Sequence, residues 1–151
     1  MRFRLIVVGD KPPSWVSEGF REYARRLPPH MPLELVQVAA AGKGGKNRAG
    51  QAQRQLNVLN DRDWVVAFDE HGKACDTRAV SDRLSDWRML GRDIALLVGG
   101  ADGLDDACLS RADETLSLST LTFPHELVRV IVAEQLYRAW TILSGHPYHR
   151  A

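Results

Sequence analysis

Apolar residues fall along this chain in two alternating rhythms. Phe3 to Val8 is a short, mostly apolar run and reads as a strand. Lys11-Pro12-Pro13-Ser14 breaks it, and Ser14 is placed to cap a helix. Val16, Phe20, Tyr23 and Leu27 then recur at helical spacing until Pro28-Pro29 stops the pattern. Leu33 to Val38 reads as a second strand, and Ala39 to Gly50 as a glycine-rich loop. A weak helix follows, with Ala52, Leu56 and Leu59 on one side. Trp64 to Asp69 reads as a third strand. Asp76 caps a helix carrying Val80, Leu84 and Trp87, which Gly91 ends. Ile94 to Val98 is a fully apolar fourth strand, Asp105 to Ala112 a short helix, and Thr115 to Leu118 a fifth strand. A long helix runs from about Pro124 to Leu143.

Strand and helix alternate throughout, without an internal repeat or a linker. The pattern predicts one α/β domain over residues 1–151, with a mostly parallel sheet covered by helices on both faces. A chain of this length buries well over half of its unfolded surface and needs no disulfide or metal staple. The apolar run behind the basic start, Leu5 to Val8, is too short for a signal peptide, and no stretch approaches the roughly 20 apolar residues of a membrane span. A cytoplasmic protein with no membrane partner is expected. Cys75 and Cys108 lie far apart and lack the spacing of a zinc site, so reduced thiols and no metal are expected.

The net charge is +1, which by itself announces no nucleic-acid partner. Its distribution changes the picture. From Leu35 to Asn60 there is no acidic residue, while Lys43, Lys46, Arg48 and Arg54 all fall there. That stretch is either a nucleic-acid contact or a solvated basic loop.

In parallel α/β sheets, ligands bind beyond the carboxyl ends of the strands. Three loops leave such ends: Phe68 to Lys73, Gly99 to Gly103, and Ser119 to Pro124. Glycines at 99, 100 and 103 let a flat ligand lie against the backbone, or else simply form a tight strand-to-helix turn. The order G-G-x-x-G is not the dinucleotide fingerprint. The run to Lys46-Asn47 lacks the first glycine and the hydroxyl residue of a P-loop. On the last helix, Arg129, Glu134, Gln135, Arg138 and Thr141 share no face and apolar residues fill the gaps. Such a helix is covered on several sides, by a second subunit or by its own core. Glu134 and Arg138 stand four apart, the spacing of an ion pair. Gly145 and Pro147 stop the helix. His146, Tyr148, His149 and Arg150 beyond it can stack on bases, contact phosphate and move protons, or form an idle terminus.

The segments Leu96 to Leu104, Leu116 to Ser119, Leu121 to Arg129, Ala133 to Trp140 and His146 to His149 resemble the ribosomal RNA large subunit methyltransferase H family. Val7 to Lys11, Trp15, Glu22-Tyr23 and Phe68-Asp69-Glu70-x-Gly72-Lys73 fit it too. The resemblance implies a minimal SPOUT methyltransferase with a C-terminal trefoil knot, a topology that general folding rules disfavour. It implies a homodimer that methylates N3 of a pseudouridine in 23S ribosomal RNA on the assembled ribosome, with S-adenosyl-L-methionine as methyl donor. Carried over, the donor lies against Phe68, Gly99, Gly100 and Gly103 and the loop Leu118, Ser119, Thr120, Leu121, Thr122 and Phe123. His149, Tyr148, Arg150 and Arg138 are then the catalytic candidates, and Lys43, Lys46, Arg48 and Arg129 the RNA-binding ones. Two other readings stay open. One is a ribosome-binding factor that keeps the fold without the reaction. The other is a redox domain using the same strand ends.

Overall fold

The computed structural model describes residues 1–9, 11–41 and 47–150. Five strands, β1 (Phe3–Val8), β2 (Leu33–Val38), β3 (Trp64–Ala74), β4 (Ile94–Val98) and β5 (Glu114–Ser117), form one sheet in the order β2-β1-β4-β3-β5. Every neighbouring pair is parallel. Five helices connect them: α1 (Ser14–Ala24), α2 (Arg48–Asn57), α3 (Thr77–Arg88), α4 (Asp106–Arg111) and α5 (His125–Ser144).

The two-residue period of the strands divides the core in two. Leu5, Val7, Val66, Leu96 and Leu116 point to one face, where they bury Phe20 of α1, Leu84 and Trp87 of α3 and Val132, Ala133 and Leu136 of α5. Ile6, Val8, Val65, Ala67, Ala95 and Leu97 point to the other, under Ala52 of α2 and Cys108 of α4. β4 is apolar at all five positions because both of its faces are covered. The long helix α5 packs on α1 and α3, where Gly19 of α1 meets Val130 and Thr77 donates to Gln135 at 2.9 Å. Its apolar circumference therefore serves the chain's own core on three sides. Leu127, Ile131, Glu134 and Arg138, at helical spacing on a further side, are only half-buried. Among the described residues no helix is long and apolar enough to cross a membrane.

β1, β2 and β4 keep their expected bounds. Three local expectations are corrected. Ser14 opens α1 but does not cap it; the N-cap position is Pro13, with no side-chain hydrogen bond. Asp76 does cap α3, accepting from the Ala79 amide at 2.8 Å. β5 begins one residue early, because Glu114 already pairs with Val66. β3 does not end at Asp69. Phe68 and Lys73 both register with Leu116, so residues 69–72 bulge out and the strand resumes to Ala74. Gly72 closes the bulge. A Cβ there would stand 2.8 Å from the Leu116 and Thr115 backbone, closer than real Cβ contacts come.

At the amino end of the sheet, Glu114 ties α3 to the β3–β5 edge. Its carboxylate accepts from the indole N–H of Trp64 at 2.6 Å and of Trp87 at 2.8 Å, and pairs with Arg83 at 2.7 Å. Burial pushes the carboxyl up, but the hydrogen bonds from Arg83, Trp87 and Trp64 outweigh it and hold the group below its ordinary value. A depressed folded value stabilises the fold above the unfolded value of about 4.3, and that contribution is lost as pH falls below it. Glu114→Ala is expected to cost about 1–3 kcal/mol near neutrality, through the two orphaned indole donors and the released Arg83. Urea unfolding should show that difference shrinking in acid; a constant difference would remove Glu114 from the acid sensitivity.

Candidate methyl-donor cleft and the C-terminal tail

Because all strands are parallel, their carboxyl ends share one edge, and the loops leaving β3, β4 and β5 meet there around a cleft of about 620 Å³. Phe68, Val98, Leu104, Leu118, Leu121 and Phe123 give it apolar walls, while Asp69, Glu70, Asp102 and Asp106 with Arg48 and His125 give it a charged rim.

The wall between them is bare backbone. A Cβ on Gly99 would lie 2.3 Å from the carbonyl carbon of Gly103, so any side chain at this position forces the turn to shift. The Gly103 amide donates to the Gly100 carbonyl at 3.0 Å, closing the turn. Gly103 has φ +79 and no atom within 4 Å of where its Cβ would stand. Its left-handed backbone, not crowding, excludes side chains there. On the opposite wall Ser119 shapes its own loop, its hydroxyl accepting from the Leu121 amide at 2.9 Å. Flat apolar surfaces facing open peptide groups suit a heteroaromatic base with a polar extension.

The model of a family described as predicted SPOUT methyltransferases matches residues 1–149. The chain belongs to that family. Among curated relatives, a ribosomal RNA large subunit methyltransferase H from Hahella chejuensis is 50% identical, with 99% of each chain covered. Its namesake from Alkalilimnicola ehrlichii is 54% identical, with 100% of each chain covered. Two solved structures share the fold. A probable methylase family protein from Haemophilus influenzae has a TM-score of 0.61 at 12% identity, covering 99% of this chain and 70% of that one. A probable methyltransferase from Bordetella pertussis has a TM-score of 0.57 at 16% identity, covering 91% of this chain and 95% of that one.

In this SPOUT domain, Phe68, Gly99, Gly100, Gly103, Leu118, Ser119, Leu121, Thr122 and Phe123 all line the cleft. Thr120 does not. Arg48 reaches the rim and pairs with Asp105 at 3.8 Å. Lys43 and Lys46 lie outside the described residues. Arg129, expected at an RNA surface, is instead 1% exposed. Its guanidinium sits under the end of β1 near Gly9 and donates to Gln37 at 3.4 Å. Burial pulls its pKa below the ordinary value, against the nearby Glu126 carboxylate. It therefore presents no charge to a nucleic acid in this conformation.

The catalytic candidates do not line the cleft. Arg138 stands thirteen positions along α5 from His125 of the rim, about 20 Å at the helical rise. The tail folds back there. The Tyr148 ring lies 4.7 Å from Tyr137, and the Arg138 guanidinium covers it at 4.9 Å while pairing with Glu134 at 2.6 Å. Burial, then the Glu134 carboxylate, raises the Tyr148 pKa, so the group is a neutral phenol near neutrality, with a hydroxyl able to donate a hydrogen bond. His149 is half-buried, its Nδ1 without a hydrogen-bond partner among the described residues. Arg150 is exposed. Among the described residues no group of three or more His, Cys, Asp or Glu side chains is placed to hold a metal ion.

Sequence reasoning missed two residues at the back of the cleft. Gln51 meets Gly100, and Gln55 holds the Val98 carbonyl at 2.9 Å. Both are polar positions on a weakly patterned helix, and nothing local marks them. Gly99→Ala is expected to lower stability by about 1–3 kcal/mol through overpacking of the turn. Thermal unfolding compared with wild type checks this, and an unchanged midpoint would mean the turn relaxes freely.

Proposed function

We propose that this chain transfers a methyl group from S-adenosyl-L-methionine to N3 of a pseudouridine in 23S ribosomal RNA, on the assembled ribosome in the cytoplasm, as a homodimer. One observation carries the reading. A glycine-walled cleft stands at the carboxyl edge of the sheet, in a chain about half identical from end to end to proteins named ribosomal RNA large subunit methyltransferase H.

The residues fit the donor. Phe68, Leu118, Leu121 and Phe123 offer flat apolar surface, and Gly99, Gly100 and Gly103 offer peptide groups free of side chains. Bound there, S-adenosyl-L-methionine supplies a methyl group already activated on a sulfonium, so the protein's work is chiefly placement. The chain's own residues then handle the RNA. His149 accepts the pseudouridine N3 proton, and Arg138 and Arg150 stabilise the resulting anion. Tyr148 donates a hydrogen bond to the base. Lys43, Lys46 and Arg48 take phosphates. Arg129 holds α5 against the ends of β1 and β2 from inside.

The distance between tail and cleft within one chain supports a site shared between two copies. Leu127 and Ile131, half-buried on the side of α5 turned away from α1 and α3, offer the apolar surface for that pairing. The C-terminal trefoil knot expected of this family would involve the segment that leads from edge strand β5 to α5. A ribosome-binding factor without chemistry would leave the fitted cleft unused. A redox domain lacks the dinucleotide fingerprint.

His149→Ala is expected to lower methylation by about 10²-fold or more with donor affinity unchanged. Wild-type turnover would rule the histidine out. Gly103→Val forces a β-branched residue to positive φ, at a cost of about 1–3 kcal/mol, and should abolish donor binding by calorimetry. Mixing these two inactive variants tests the shared site. Heterodimers carrying one intact tail and one intact cleft should restore about a quarter of wild-type activity. No restoration would place tail and cleft of the same chain together.

A further inference from the structure

We propose that Gln55 of α2 is a positioning residue that sets the methyl-donor turn, a role that rests on the donor site proposed above. The β1–β4 ladder runs from Phe3↔Ile94 to Ile6↔Leu97 and stops there. Just beyond, the side-chain amide of Gln55, 1% exposed, donates to the Ile6 carbonyl at 3.2 Å and to the Val98 carbonyl at 2.9 Å. Val98 is the last residue before Gly99-Gly100. The glutamine thus takes over from the sheet at the point where the strand becomes the turn.

Two acceptors facing one nitrogen fix which end of the amide points inward, and the Cys108 thiol lies 3.8 Å from the oxygen end. One turn earlier on the helix, Gln51 stands 3.0 Å from where a Cβ of Gly100 would be. α2 is itself anchored at the end of β2. Gln51 donates to the Ala40 carbonyl at 3.2 Å, and Arg54 donates to Ala39 at 2.7 Å and to Ala40 at 3.1 Å. The helix is therefore a fixed body pressed on the back of the turn, with Gln55 as its grip. Buried carbonyls need a donor; Val98 still pairs with Phe68 of β3, but on the β1 side Gln55 supplies the hold that aims Gly99–Gly103 at the cleft.

Gln55→Met keeps length and volume while removing both hydrogen bonds. It should fold, yet bind S-adenosyl-L-methionine at least about tenfold more weakly, a loss of about 1.4 kcal/mol. Affinity equal to wild type in the folded variant overturns the proposal. If the variant does not fold, the wild type decides. In the isotope-labelled protein the Gln55 side-chain amide signals should shift when S-adenosyl-L-methionine is added, and unshifted signals at saturation overturn the proposal. Failure of the wild type to bind the donor at all would instead overturn the site on which it rests.

Discussion

Backbone packed directly on backbone at the carboxyl edge of the sheet is the constraint on which this structure depends. A parallel sheet delivers all its strand ends to one edge, where the ladder hydrogen bonds run out together. Here the chain closes that edge with tight turns in place of bulky loops. Gly99 touches the Gly103 peptide, and Gly72 touches the β5 backbone. Both contacts forbid a Cβ. The resulting wall has peptide groups where other sites have side chains, and apolar residues of the β3 and β5 loops complete it.

The strand segments were legible in the sequence because burial on both faces leaves an unbroken apolar run, as in Ile94 to Val98. The cleft was legible in part. Its glycines are visible, but only the structure shows which of them the turn itself needs and which lie open to the cleft. Gly99 is required by the turn, and Gly103 is open toward the cleft. What sequence could not give was depth. Arg129 looks like any cationic residue on a helix, and only the packing of α5 over β1 and β2 reveals that it is buried. The bulge at residues 69–72 was hidden because strand propensity says nothing about register. The two glutamines of α2 were hidden because their partners are backbone carbonyls distant in sequence.

The family resemblance and the geometry carry different parts of the account. Likeness over the whole chain identifies a SPOUT methyltransferase. Geometry then adds what a family name does not: the glycine-walled cleft and the basic and aromatic tail stand at opposite ends of α5. Tyr148 is held between Tyr137 and Arg138, and the same Arg138 is held by Glu134, so the tail is docked rather than loose. Under the proposed function, such a chain separates donor binding from handling of the target base, and pairing of two copies is the simplest means of joining them.

A crystal structure with S-adenosyl-L-methionine bound tests the central claim most directly. The expected result is the donor seated against Gly99 to Gly103, with Phe68 and the Leu118–Phe123 loop around it and the residues of a second copy's tail at its methyl end. A donor found elsewhere on the chain, or a cleft that stays closed at saturating donor, would contradict the account.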